Sequence, residues 1–126
     1  MTDPITEMLN QIKNAQAVSH KTVTIYFSNL KYEIASILEK NSFIEKVEKK
    51  GRNPKKSIEI TLKYPAAISG LKRISKPGQR IYTGFKDIKK SKEGVGILII
   101  STPKGLMTDK EAKKNKLGGE VICEIW

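Results

Sequence analysis

Several things are scarce in this chain, and each scarcity excludes something. Its 126 residues contain one cysteine, Cys123, and one histidine, His20. A lone cysteine closes no intramolecular disulfide, which favours a reducing compartment. One Cys and one His far apart in sequence do not make a structural zinc site. The same shortage leaves no Ser-His-Asp set, because His20 lies in a polar stretch with no obvious partner. Gly94-Val95-Gly96 lacks the third glycine of a dinucleotide fingerprint, and it precedes a strand where the fingerprint follows one. No apolar run approaches ~18 residues, so no transmembrane helix is expected. Residues 1–10 lack a basic stretch followed by an apolar one, so no signal peptide is expected. Aromatics are only 6% of the chain, so its core must lean on Ile, Leu and Val.

Positive charge is plentiful. Lys and Arg number 24 against 13 Asp and Glu, a formal net charge of +11. That surplus exceeds the needs of solubility and points to a polyanionic partner, nucleic acid before membrane. It is spread along the chain: +4 over residues 1–63 and +7 over residues 64–126. Only Arg52, Arg73 and Arg80 are arginines. The rest are lysines, point charges suited to phosphate.

Periodicity gives an α+β fold of two small modules. Thr2-Asp3-Pro4 reads as a helix start, and Ile5, Met8, Leu9, Ile12 and Ala15 then recur at helical spacing. Lys13 and Asn14 fall on the other face. Thr22–Phe27 reads as a strand. Ser28 caps a second helix with Leu30, Ile34, Ile37 and Leu38 as its buried stripe, and Asn41-Ser42 ends it. Phe43–Lys49 and Ser57–Lys63 alternate and pair as a hairpin across the basic turn Lys49–Lys56. That turn is either a solvated tip or a finger on RNA phosphate. Pro65 breaks the ladder, so the N-terminal module, residues 1–65, is α-β-α-β-β.

The C-terminal module, residues 66–126, is mainly β with one short helix. Strands are expected at Gly70–Ser75, Gln79–Thr83, Gly96–Ser101 and Glu120–Trp126. Continuous apolar character at Ile97–Ile100 makes that strand central. Thr108-Asp109-Lys110-Glu111 is a capping box, and Lys86–Lys92 is a charged surface loop. Cys123 is a buried filler.

Three stretches could contact a ligand. In Ser101-Thr102-Pro103-Lys104-Gly105, a strand delivers two hydroxyls, a lysine and a glycine to a loop. These suit base edges, 2′-hydroxyls and phosphate, but equally an ordinary turn. Lys76 and Arg80 flank a Pro77-Gly78 turn, with Tyr82 as a stacking candidate or a core residue. Gly118-Gly119-Glu120 offers close backbone approach and a base-edge acceptor, or a helix stop beside a solvated carboxylate. A non-catalytic binder of structured RNA fits best. An RNA-processing enzyme would need a general base or metal cluster, and the sequence supplies neither.

These segments resemble the family of bacterial-type small-subunit ribosomal protein eight over nearly the whole chain. Asp3-Pro4-Ile5-Thr6-Glu7-Met8-Leu9 with Lys13-Asn14-Ala15 is similar to its N-terminal signature. Ser75-Lys76-Pro77-Gly78 with Arg80-Ile81-Tyr82 is similar to its middle one. Gly94 and Gly96, Ser101-Thr102, Lys104-Gly105, Met107-Thr108-Asp109, Glu111-Ala112, Gly118-Gly119-Glu120, Cys123 and Trp126 match its C-terminal pattern. The resemblance implies a non-enzymatic ribosomal protein without cofactor or metal, on a cytoplasmic or organellar ribosome. It would bind the central domain of small-subunit rRNA, organise assembly beside neighbouring ribosomal proteins, and be a monomer when free. It would also imply translational feedback through the messenger RNA of its own operon. Contacts carry over to Ser101, Thr102, Lys104, Gly105, Tyr82, Gly118, Gly119, Glu120, Lys13 and Asn14, with Lys76 and Arg80 beside them. The chain departs from the family at Pro103, where a third hydroxyl is common, and at Gln79.

Overall fold

The computed structural model describes residues 3–52, 55–89 and 96–126. Thr2 of the expected helix start, residues 53–54 of the basic turn and residues 90–95, which include most of the expected loop's end and Gly94-Val95, lie outside them. The chain forms two compact units. One is Pro4–Ile68; the other is Ser69–Trp126 together with Asp3.

In Pro4–Ile68 the order is α1 (Pro4–Ala17), β1 (Thr22–Tyr26), α2 (Asn29–Lys40), β2 (Lys46–Lys50) and β3 (Ser57–Thr61). The strands make one antiparallel sheet with β3 central. The α1 stripe Ile5, Met8, Leu9, Ile12 and Ala15 is buried as its spacing demands. Each large side chain of this kind contributes about 2 kcal/mol relative to exposure. The Ser28 side chain accepts from the Lys31 amide and so caps α2. The α2 stripe differs from expectation. Ile34, Ala35 and Leu38 are buried, Ile37 is half-buried and Leu30 is exposed. Ala35 takes a place on the inner face, while Leu30, in the first turn, is exposed. β2 begins three residues later than its alternation suggested, because Phe43 and Ile44 still serve the turn out of α2. The Phe43 amide donates to the Leu38 carbonyl at 2.9 Å, while Ile44 is buried.

Alternation sorts the sheet's two faces. Ile25 opposite Ile58, and Val23 opposite Ile60, point one way. Tyr26 opposite Ser57, itself opposite Lys50, points the other.

In the second unit come β4 (Leu71–Arg73), β5 (Tyr82–Thr83), a 3-10 turn (Phe85–Asp87), β6 (Ile97–Thr102), β7 (Gly105–Thr108), α3 (Asp109–Lys114) and β8 (Gly119–Ile125). The sheet is antiparallel in the order β4-β8-β6-β7, with β5 also on β8. The apolar strand is therefore inner, as its composition requires. A bulge between Ile99 and Ile100 in the β6–β8 ladder leaves Ile122 unpaired with β6. On one face, Ile100, Val121, Ala112 of α3 and Ile88 form a buried cluster, with Ile74, Phe85, Leu98 and Met107 packed around it. On the other, Ile99, Cys123 and Ile125 are fully buried. The capping box forms: the Thr108 side chain accepts from the Glu111 amide. Asp109, which sequence left without a task, accepts from the Leu98 amide at 3.2 Å and ties the start of α3 to β6. β7 is an addition, since no strand was expected over Gly105–Thr108.

The side chain of Arg73 is only 6% exposed. It donates to Asp3 Oδ2 at 3.0 Å and to the Ile122 carbonyl at 2.7 Å. A buried guanidinium is tolerated when its donors are satisfied in this way.

Candidate nucleic-acid interface

The register of the second sheet brings together residues that are far apart in sequence. Tyr82 of β5 lies opposite Glu120 of β8, and Glu120 lies opposite Ser101 of β6. Directly opposed residues of an antiparallel pair share a face. The three side chains therefore form one row across the sheet. Tyr82 is 69% exposed, while Glu120 and Ser101 are half-buried. Arg80 Nη1 donates to Glu120 Oε2 at 3.0 Å, which fixes the carboxylate and leaves its other oxygen to accept. No described residue takes up the Ser101 hydroxyl. The row thus presents a ring face, a held carboxylate, a guanidinium and a hydroxyl.

Thr102 behaves differently from its neighbour. Adjacent strand residues point to opposite faces, so the two hydroxyls are not presented together. Thr102 is buried, and its Oγ1 donates to the Gly105 carbonyl at 2.8 Å and accepts from the Lys104 amide at 3.2 Å. It closes the β6–β7 hairpin, opposite Gly105 in the ladder. Pro103 and Lys104 make the turn itself, with Pro at a turn position its fixed φ suits. Gly105 has φ +112 and open space around it, so glycine is required there by conformation and not by crowding. Lys104 projects into solvent at the tip.

Gly118 and Gly119 are required by close approach, but the approaching backbone is the protein's own. A Cβ on Gly118 would strike Thr83 and Gly84, and one on Gly119 would strike the Ser101 carbonyl. These two glycines let β8 sit against its neighbours and so set the Tyr82–Glu120–Ser101 row. They are not the helix stop, since α3 ends at Lys114 and Lys116 takes the positive φ of 56°.

Lys76 and Gln79 exchange backbone hydrogen bonds of 3.0 and 2.9 Å around Pro77-Gly78, and Gly78 has φ +85. Ser75, fully buried, holds this turn: its Oγ accepts from the Ile81 amide at 2.7 Å. The sequence placed Ser75 at the end of a strand and in the middle signature but gave it no task, because nothing distinguishes a turn-holding serine from a solvated one until its burial is known. Lys76 and Arg80 are exposed on either side. Lys13 and Asn14 belong to the other unit, on the exposed face of α1. Asn14 borders a shallow dent of about 360 Å³ with Gln11, Ala15, Val18, His20 and Val23.

Among the described residues no group of three His, Cys, Asp or Glu is placed to hold a metal ion, and no helix is long and apolar enough to cross a membrane. Cys123 is fully buried, and burial pushes its thiol up to about 12 against a smaller opposing pull from Arg73. It is inert as a nucleophile.

The family model for Ribosomal protein S8 matches residues 3–126. The chain belongs to the ribosomal protein S8 family. S8 proteins are structural ribosomal components and not enzymes. The chain is 52% identical to the "Small ribosomal subunit protein uS8" of Mycoplasmopsis pulmonis over 129 residues, which covers 100% of this chain and 98% of the relative. It is 51% identical to the protein of that name from a Thermoanaerobacter species and 44% identical to that from Clostridium beijerinckii, over 130 residues and with the same coverage. Three segments of the S8-like signatures read from the sequence now have distinct physical roles. The Lys76–Gly78 segment is a turn, Thr102 with Gly105 closes a hairpin, and Gly118-Gly119 is a close-packed strand crossing.

Proposed function

We propose that this S8 protein is a constituent of the small ribosomal subunit that binds structured rRNA of the central domain and stabilises it for later assembly steps. Neighbouring small-subunit proteins would be its other partners. The observation that carries the reading is the row Tyr82–Glu120–Ser101, with Arg80 locking Glu120. A ring for stacking, an acceptor and a hydroxyl on one rigid sheet suit an unpaired base and its ribose. A carboxylate amid surplus lysine selects against plain phosphate and favours an amino-bearing base edge. Lys104, Lys76, Lys13 and Asn14 would add contacts to the sugar-phosphate chain, which position without specifying. Thr102, Gly105, Gly118 and Gly119 would act by holding the hairpin and the crossing that present the row. A messenger RNA of the protein's own operon would be bound by the same row where it presents the same shape.

The test is binding of the purified protein to a short central-domain rRNA hairpin and to a scrambled hairpin of equal length at moderate salt. A preference of 10³-fold or more for the native hairpin is expected, the order at which specific binding stands above nonspecific. Equal, salt-sensitive binding to both would reduce the protein to a generic polycation.

A further inference from the structure

The three-stranded sheet of the first unit has two outer strands, and they are finished differently. β2 is blunted: Lys46, Lys49 and Lys50 stand on it, and Glu39 Oε2 accepts from the Val47 amide at 2.8 Å. Charges and a capped amide discourage a further strand. β1 carries no such device. It reads Thr-Val-Thr-Ile-Tyr, without charge, Gly or Pro, and β3 is its strand partner. In the second unit the end strands β4 and β7 are only three and four residues long.

Hydrogen bonding fixes which backbone groups of β1 face outward. The Leu62 amide donates to the Lys21 carbonyl at 2.8 Å, and the Phe27 amide donates to the Lys56 carbonyl at 3.2 Å. In an antiparallel ladder every second residue bonds the same neighbour, so Val23 and Ile25 also turn to β3. Thr22, Thr24 and Tyr26 turn their amides and carbonyls to the free edge. The flexible Lys31 Nζ reaches this row, 3.5 Å from the Tyr26 carbonyl. Beside the edge, α1 leaves two dents that share Gln11. One, of about 320 Å³, lies against Thr24, Ile25 and Tyr26; the other, of about 360 Å³, lies against Val18 and Val23. Val18 is 63% exposed and Tyr26 85%.

The strand is complementary to itself. Laid antiparallel on its own copy with Thr24 opposite Thr24, it sets Thr22 opposite Tyr26. All three outward residues then become hydrogen-bonded pairs, with about six backbone bonds between them. Val23 meets Ile25 of the copy on the inner side, and Tyr26 meets Thr22 on the outer one, both favourable cross-strand pairs. Lys21, the charge adjoining the strand, falls opposite Phe27, so no like charges are opposed. A two-fold axis through the Thr24 pair generates the whole contact and closes it at two copies.

We infer that the free chain pairs reversibly with a second copy through β1, joining the two sheets into one. The edge is uncharged and its register closes on itself, which suits a copy better than an acidic peptide. The net charge of +11 on each copy opposes the pairing. Salt therefore strengthens it by screening, the reverse of its effect on binding to nucleic acid. The inference stands independently of the RNA reading.

The test is sedimentation equilibrium of the full, RNA-free chain over a concentration series up to the millimolar range, at low and at high salt. The mass should rise from one chain toward two, and at lower concentration when salt is high. Thr24→Pro removes the central outward amide but no bond to β3. It should weaken pairing by about 30-fold, the loss of two hydrogen bonds. Thr24→Lys sets like charges directly opposite each other and should abolish pairing at low salt while unfolding at the wild-type temperature. It decides the matter where the Pro variant fails to fold. Under mild oxidation Thr24→Cys should cross-link roughly tenfold faster than Thr22→Cys, whose sulfurs stand about 14 Å apart along the paired strands. Cys123 is buried and takes no part. A wild-type chain that stays single at the highest concentration and salt overturns the inference. So do pairing that salt weakens, pairing that both Thr24 variants leave intact, and equal cross-linking of the two cysteine variants.

Discussion

The β6–β7 end of the second unit and the β2–β3 end of the first are both antiparallel hairpin ends, yet they are built from opposite materials. At β6–β7 the turn is short and closed by Thr102, and the neighbouring row holds neutral hydroxyl, ring and paired carboxylate groups. At β2–β3 the stretch 49–56 holds four lysines and an arginine, and Lys49 and Lys56 lie over phenol and phenyl faces. Fixed, mostly neutral groups discriminate, because each hydrogen bond must meet its partner at a set distance. Cations on flexible stems attract without discriminating. If the row reads RNA as proposed, charge density alone is a poor guide to a specific site, because the more basic end would be the less selective one.

Gly119→Ala should break this comparison most sharply. Its methyl group would collide with the Ser101 carbonyl, so β8 must shift away from β6. A loss of about 3 kcal/mol in stability is expected, in the upper range for forced overpacking, measurable by thermal unfolding. Preference for the native hairpin should collapse, while the salt slope on scrambled RNA persists. Retained preference would mean the row is not the reader.

Separating Ser101 from Thr102 sharpens it further. Thr102→Val keeps shape but removes the hydroxyl that closes the turn, and should cost about 1 to 2 kcal/mol of stability. Ser101→Ala should change stability by less than about 0.5 kcal/mol and yet weaken native-hairpin binding by roughly tenfold, about 1.4 kcal/mol. Matching stability losses in the two variants would contradict the opposite orientations assigned to them. The smallest effect is expected from Lys104→Ala: a salt slope lower by about 0.9 for one phosphate contact, with stability and the native-to-scrambled ratio unchanged. A drop in that ratio would move Lys104 from backbone holder to base reader.

The elements were legible in the sequence where periodicity is local. The α1 stripe follows from five apolar residues at helical spacing, and the Ile97–Ile100 run could only be an inner strand. Local signals failed where tertiary packing decided. Nothing in α2 says that Ala35 turns inward in place of Leu30. β7 was hidden because Gly105-Leu106-Met107-Thr108 lacks alternation and its Pro-Lys turn lacks the usual Asn-Gly or Asp-Gly signal. For the candidate site, residue types and family signatures named Ser101, Tyr82 and Glu120 separately. Their alignment in one row depends on the register of β5, β8 and β6, a long-range property no short motif carries. Gly118 and Gly119 were noticed for closeness to a ligand, whereas the closeness is to Thr83, Gly84 and Ser101.

The Asp3–Arg73 pair has a consequence for how the chain is made. Asp3 groups with residues beyond Ser69, although everything from Pro4 to Ile68 belongs to the other unit. Arg73 is synthesised seventy residues after Asp3. The second unit is therefore never complete as a contiguous stretch of gene. A fragment beginning at Ser69 would carry a nearly buried guanidinium with the Ile122 carbonyl but without its carboxylate. During translation, Asp3 therefore waits for a partner that is made only after the whole of the first unit.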